Sequence, residues 1–358
     1  MSVDRSTPLV AVGPDLNERI EARLDQGLRG QWYVIAKSSD IPPGKVVAAK
    51  ALGLDLALWR TADGQLNCVE DRCPHRGARL SRGDVHAEGI ACRYHGVTVD
   101  GTGCIVAVPA LARCGLQGRH AVAAFTVREL SDGVFAYFPS ADEPEPRTFL
   151  APAEITAPEH ASFLCTALWE CNYRYAMENL ADPMHGIYLH ADSFTLAQGS
   201  RQDTIEVEST AHGFIVRRVA QQGINFDWAE FIADLPMLHA RVLIPYPQAG
   251  GPGPAMTVIC FVTPIDSRSC RIFFWRTRKV SGLAREAWRF LFRTTLEARH
   301  WSVLEQDREM LGCLHEDARE RELLYQHDGG VVRLRRYLAQ QARRQVEVEC
   351  RAGAVEAS

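Results

Sequence analysis

Two short motifs constrain this chain more than anything else in it: Cys73-Pro74-His75 and, sixteen residues on, Cys92-Arg93-Tyr94-His95. Each joins one thiol to one imidazole, so together they form a four-ligand set of two Cys and two His. A structural zinc ion accepts such a set, but its usual spacing pairs Cys with Cys and His with His. Mixed pairing suits a [2Fe–2S] cluster better, with two thiolates and two neutral imidazoles, the imidazoles raising its reduction potential.

At 358 residues the chain has room for two domains with proper cores. Its 46% hydrophobic and 23% charged residues are those of a soluble globular protein. A net charge of −4 gives no reason to expect nucleic acid or an anionic membrane as partner. The first residues lack a basic start followed by an apolar core, and no apolar run reaches the roughly 18 residues of a membrane span. A cytoplasmic location is the expectation. Eleven cysteines are an odd number in a large chain, so reduced thiols are expected rather than a disulfide framework. Cys73 and Cys92 have a use; the others, Cys104, Cys165, Cys171 and Cys260 among them, read as small buried hydrophobes.

Residues 1–29 form an N-terminal helical segment, with Leu16, Ile20, Leu24 and Leu28 on one face of a packing helix that leads into the first domain. Residues 30–140 read as an all-β domain of short strands: QWYVIAKS, VVAAKAL, LALWRTA, LNCVED, VTVD, AVAAFTVREL and VFAYFP. Both ligand motifs fall in its loops, where the histidines can face outward. Residues 141–160, rich in proline, alanine and acids, read as a linker. In residues 161–358 a strand and helix are followed by an antiparallel meander, one face packed and one partly wet: TIEVESTAHGFIVRRVA, NFDWAEFIA, HARVLIPYP, AMTVICFVTPI and CRIFFWRTRK. A long helix spans SGLAREAWRFLFRTTLEARHWSVLEQDREMLGCL, and VVRLRRYLAQQARRQ is a final helix with a basic outer face.

Asn179-x-x-Asp182-x-x-His185-x₄-His190 marks a second metal site. Two histidines and a carboxylate on three facial positions hold non-haem iron(II) and leave places open for O₂ and substrate. On a regular helix His185 and His190 would lie about 140° apart, so the helix has to end or bend between them. Three carboxylates compete for the third position. Asp182 stands one turn before His185, placed to accept that ring's second N–H. Asp307 and its neighbour Glu305 lie far along the chain, and spacing does not choose among the three.

The motifs CPHRGA, CRYHG and NxxDxxHxxxxH resemble those of the catalytic α-subunits of Rieske non-haem iron aromatic-ring-hydroxylating oxygenases. The likeness runs from about residue 30 to the C-terminus and is greatest to the branch of phthalate dioxygenase and vanillate O-demethylase. It implies an α+β architecture: an all-β Rieske [2Fe–2S] domain, then a helix-grip-like mononuclear iron domain of antiparallel sheet plus helices. It implies that Cys73, His75, Cys92 and His95 bind the cluster and that His185, His190 and Asp307 bind iron. Asn179 then stands near the iron, and Asp182 bridges His185 to His95 of the partner subunit. Val97 departs from the pattern, since many members carry Trp there.

The implied activity is that of a terminal oxygenase acting with O₂ on a small, aromatic-type substrate, with mono-oxygenation or demethylation preferred over dihydroxylation. Electrons from NAD(P)H have to come through a separate reductase, with or without a ferredoxin, because the chain has no G-x-G-x-x-G fingerprint. A head-to-tail homotrimer would bring each cluster to the neighbour's iron. A Rieske electron carrier with a non-catalytic second domain, and a zinc-stabilised binding module, are the competing readings. Ile224, Phe226, Trp228, Phe231 and the following strands are the expected pocket wall, with Arg201, Arg217 or Arg218 as partners for a substrate carboxylate.

Overall fold

The computed structural model describes residues 15–193, 196–221, 223–245 and 253–356. Residues 1–14 of the N-terminal segment, and Tyr246-Pro247 closing the HARVLIPYP stretch, lie outside them. Helix α1 (Leu16–Gln26) opens on a capping box, Asp15 and Glu18 each accepting the other's backbone N–H. Strands β1 (Gln31–Lys37), β2 (Val46–Ala51), β3 (Leu54–Arg60), β4 (Leu66–Glu70), β5 (Asp84–His86), β6 (Gly89–Ala91), β7 (Thr98–Val99), β8 (Ile105–Ala107), β9 (Val127–Leu130) and β10 (Gly133–Phe138) follow. They pair antiparallel as β1-β10-β9, β2-β3-β4 and β5-β6-β7-β8.

Strands β5, β6 and β8 carry no sequence signal, being three residues each. Of AVAAFTVREL only the last four residues form a strand, β9, and Ala124 before it makes a single bridge to Val69.

Next come α2 (Ala153–Thr156), β11 (His160–Trp169), α3 (Tyr173–Leu180) and α4 (His185–Leu189), then β12 (Ile205–Thr210), β13 (Gly213–Arg218), β14 (Trp228–Ile232), β15 (His239–Ile244), β16 (Met256–Asp266) and β17 (Ser269–Lys279). The chain closes with α5 (Gly282–Leu291), a π turn (Phe292–Leu296), α6 (Glu297–Gly312), α7 (Ala318–Arg321) and α8 (Gly329–Glu356). The sheet β11-β17-β16-β15-β14-β13-β12 is the expected antiparallel meander. TIEVESTAHGFIVRRVA is a hairpin rather than one strand, turning before Gly213, where a side chain would strike the Phe231 carbonyl.

The two faces of this sheet bury different neighbours. Cys260 and Phe274 join α3, the π turn and α8 in the largest core. Ile259, Phe261, Phe273 and Trp275, one residue out of phase, meet Trp32, Val34, Phe135 and Tyr137 of β1 and β10. The face expected to be partly wet is therefore dry over β16 and β17, because the first unit covers it. Helix α1 also turns its stripe away from the β unit that it precedes. Ile20, Leu24 and Leu28 enter the helical core, Arg23 pairs with Glu349 at 2.6 Å, and Gln345 bonds both backbone groups of Arg29. At Gly27 a Cβ would lie 2.6 Å from Pro264, so helix and sheet touch directly.

Candidate functional site: two metal centres and an apolar cavity

The two loops that carry the first four predicted ligands are built on one pattern. Cys73 N–H donates to the Ala78 carbonyl at 2.7 Å and Gly77 N–H to the Cys73 carbonyl at 2.9 Å. Cys92 N–H donates to Val97 at 2.9 Å and Gly96 N–H to Cys92 at 2.8 Å. Each turn needs a residue at positive φ, +72° at Gly77 and +73° at Gly96. Cys73 and Cys92 are buried within reach of each other, and burial raises the Cys73 thiol. His75 and His95 are exposed, their rings edge to face at 4.5 Å. Arg76 of the first loop lies over Tyr94 of the second, and the buried Asp71 carboxylate takes both Ser81 donors at 2.6 Å.

Thiols inside and imidazoles outside form two pairs, an arrangement that would suit the two irons of a two-iron cluster. A single zinc ion would need all four donors around one point. Among the described residues, the one group of three or more such donors within 4.8 Å of one another is His185, His190 and Asp307. Val97 fills the space under the loops in an apolar cluster with Leu80, Ile90 and Val99, so the absent Trp leaves neither thiol exposed.

The second set converges from three helices. Asp182 and Pro183 break the chain after α3, α4 starts at His185, and it ends before His190, whose ψ of 36° is no longer helical. That ending lets the two imidazoles face one point. His185 Nε2 lies 3.6 Å and His190 Nε2 3.3 Å from Asp307 Oδ1, which also accepts Asn179 Nδ2 at 3.2 Å. Donors about 3 Å apart are what bonds of about 2.1 Å at right angles require. Burial lowers the His190 imidazole, but the Asp307 carboxylate outweighs it and holds the ring above its ordinary value, as a place for positive charge would.

The three competing carboxylates separate cleanly. Asp307 is 6% exposed and faces the histidines, whereas Glu305 points outward to Arg308. The Asp182 carboxylate accepts Met184 N–H at 2.9 Å, and it is the Asp182 backbone carbonyl, not the carboxylate, that meets His185 Nδ1. The expected ring contact is thus corrected: the start of α4 engages the side chain. Gln306, given no role from the sequence, accepts from His190 Nδ1 at 2.8 Å.

A cavity of about 100 Å³ opens beside these donors. Of the four expected wall residues only Phe226 lines it. Phe231 is buried against Phe214, Ile224 is exposed, and Trp228 lies against Arg241. The following strands supply the rest: Val242, Ile244, Met256, Val258, Cys260 and Phe274. None of the expected arginines reaches the cavity. Arg218 pairs with Asp203, Arg217 with Glu208, and Arg201 covers Tyr188. Arg276 and His300 line it instead.

Residues 31–127 match the Rieske [2Fe-2S] domain family, and residues 169–344 match the Vanillate O-demethylase oxygenase C-terminal domain. The Phthalate 4,5-dioxygenase oxygenase subunit of Pseudomonas putida is 26% identical over 276 residues, 71% of this chain and 60% of that protein. The 5,5'-dehydrodivanillate O-demethylase oxygenase subunit of Sphingobium sp. (strain NBRC 103272 / SYK-6) is 24% identical over 239 residues, 62% of this chain and 52% of that protein. The chain thus spans less than two thirds of the length of these relatives. In fold it is similar to the terminal oxygenase of carbazole 1,9a-dioxygenase from Novosphingobium sp. KA1, with a TM-score of 0.72 and 21% identity over 91% of this chain and 96% of that one.

Proposed function

Because the chain belongs to the Rieske non-haem iron oxygenases, joining a [2Fe–2S] domain to a vanillate O-demethylase-type oxygenase domain, we propose that it is the terminal oxygenase of a multicomponent system. It takes electrons from NAD(P)H through a separate reductase, with or without a ferredoxin, and transfers oxygen from O₂ to a small aromatic-type substrate. The observation that carries this reading is the meeting of His185, His190 and Asp307 at the wall of an apolar cavity.

In this reading Cys73, Cys92, His75 and His95 hold the cluster, and His185, His190 and Asp307 hold the iron. When bound, the two groups supply one-electron transfer and O₂ activation. The chain's own residues do the positioning. The Asp182 carbonyl and the Gln306 amide accept the outer ring protons, which turns Nε2 of each histidine inward. Asn179 Nδ2 donates to Asp307 and fixes its carboxylate. The aliphatic wall excludes water. Mono-oxygenation or demethylation is preferred to dihydroxylation, and a cytoplasmic setting agrees with the nine thiols besides Cys73 and Cys92, all outside disulfides, and with the described helices, none of which is long and apolar enough to cross a membrane.

The working assembly is a head-to-tail homotrimer in which Asp182 bridges to His95 of the partner subunit. Exposed His75, Tyr94 and His95 support one half of that contact. The other half is supported by exposed Tyr188 and Tyr325 near Asp182, whose second carboxylate oxygen has no hydrogen-bond partner among the described residues. Sedimentation would show three copies; an active monomer would refute the assembly.

The deciding experiment replaces His185 by Ala and supplies a surrogate reductase with a panel of aromatic acids, methoxy and N-methyl compounds. Substrate-dependent O₂ uptake and product are expected from the parent protein and not from the variant. An electron carrier would reduce its acceptor equally well in both.

A further inference from the structure

We propose that Arg276 holds the metal at His185, His190 and Asp307 in its lower charge state: the guanidinium opposes the extra positive charge of ferric iron and so favours ferrous. The inference rests on the oxygenase reading, which makes that metal iron, and gives a role to a residue outside the donor set.

Strand β17 sends Phe274 and Arg276 to the same face, and both line the cavity that His185 and Asp307 also line. Arg276 is only 4% exposed. Buried guanidinium groups are normally met by an acid, and the fully buried Arg218 is met by Asp203 at 3.0 Å. Arg276 has no ion-pair partner among the described residues. Nη1 contacts Cys165 Sγ, and Nη2 lies 3.4 Å from the His300 backbone carbonyl. Neither neighbour brings negative charge, since burial raises the Cys165 thiol despite the opposing pull of Arg276. The reach of this charge shows at Cys260 in the same wall. Burial above all raises that thiol; of the lesser influences, Arg276 opposes the rise and Asp307 adds to it, so both charges act on one side chain.

The donor set offers little negative charge in reply. Asp307 is its one carboxylate. The outer nitrogens of both rings meet neutral oxygens, the Asp182 carbonyl and the Gln306 amide, where a carboxylate would make the imidazoles stronger donors. Ferrous iron on a single carboxylate keeps one net positive charge, and ferric iron keeps two. A fixed cation nearby repels the second state twice as strongly as the first. The aliphatic wall of Val242, Met256 and Val258 screens that difference far less than water would. Two consequences follow from the sign. Removing the cation tightens the hold on any divalent ion. It tightens the hold on a trivalent ion more, which lowers the reduction potential of the iron.

The test uses the full chain with its cluster loaded and has two readouts. Cobalt(II) alone is bound to protein freed of mononuclear iron, and its affinity is read by equilibrium dialysis. Iron-loaded protein is titrated through redox mediators, one electron converting ferric to ferrous, and the ferric spin resonance gives the midpoint. Arg276→Gln and Arg276→Met remove the charge, Arg276→Lys keeps it, and Cys165→Asp answers it while leaving the guanidinium in place. The two neutral variants and Cys165→Asp are expected to bind cobalt(II) about 10-fold more tightly than the parent. Their preference for ferrous over ferric iron should fall about 10- to 100-fold, a midpoint lower by about 60 to 120 mV. Arg276→Lys should stay near the parent in both. A merely structural Arg276 predicts the opposite sign, because a disturbed site loses metal. Cobalt(II) held equally or more weakly, with a parent-like midpoint, would overturn the inference; where the neutral variants do not fold, Cys165→Asp decides it. The oxygenase reading fails separately: the metal would answer to Arg276 as expected, yet no compound would drive O₂ uptake. Uptake in the parent with no charge effect in any variant would leave that reading intact and sink this one.

Discussion

Gln306 gives His190 a neutral acceptor where a carboxylate would add charge, so it orients the ring without deepening its negative surroundings. Gln306→Leu should weaken iron retention by about 10- to 100-fold, read as iron content after dialysis against a chelator, with the cluster spectrum unchanged. Retention equal to the parent would remove Gln306 from the site. His239 is a different buried imidazole, far from iron chemistry. Its Nδ1 donates to the Met237 carbonyl at 2.8 Å, its ring stacks on Phe261 at 5.0 Å, and burial pushes it down to about 4. Its unfolded value is about 6.5, so the unfolded chain binds the extra proton between these limits. Stability is therefore full above pH 6.5 and falls as pH drops toward 4, by up to about 3 kcal/mol. His239→Leu should flatten that slope in melting temperature against pH; an unchanged slope would assign it to other groups. At this scale legibility followed sequence distance. The proposed cluster ligands sit within two short motifs, whereas Gln306 meets His190 across 116 residues and Arg276 meets the cavity only through strand register.

The stretch from 281 to 314 reads as one helix because its apolar period hardly falters. It is helical through most of its length, but with a π turn at Phe292–Leu296 between α5 and α6. A π turn holds one residue more than an α turn, and this one sets the rotation of α6 and hence of Asp307. Deleting exposed Thr294 should convert it to ordinary helix and keep iron binding. Deleting exposed Ala298, inside α6, should turn Asp307 by about 100° and abolish iron binding. Metal content and helical circular dichroism of the two variants would check this; equal iron in both would refute it. The hairpin β12–β13 and the three-residue strands escaped reading because pairing, not periodicity, defines them. The meander itself was plain, since each long strand alternates.

In the whole molecule, the surface that sequence could not supply is the joint between the two units. Its residues look like ordinary core in each half, and only the out-of-phase strand faces reveal that Trp275 and Phe135 stack at 5.9 Å across it. Between subunits, Asp182→Asn should keep cluster, iron and fold. In that variant the reduced cluster should reoxidise with substrate and O₂ about 10- to 100-fold more slowly, as followed by stopped-flow absorbance. Parent-like reoxidation would exclude Asp182 from the electron path. The placement of α1 bears on the same path. This helix lies before the [2Fe–2S] unit in the chain yet is fastened to the other unit: Arg23 pairs with Glu349 of α8, Gln345 of α8 bonds Arg29 just beyond the helix, and Asp25 holds Asn172 and Arg174 at the start of α3. The cluster unit is thus an inserted loop moored at both ends, like a bucket handle, and cannot swing toward its own iron as a shuttle would. Cleavage engineered into residues 141–152 should leave the two fragments eluting together on gel filtration; a cluster-bearing fragment that floats free would show that the second mooring does not hold.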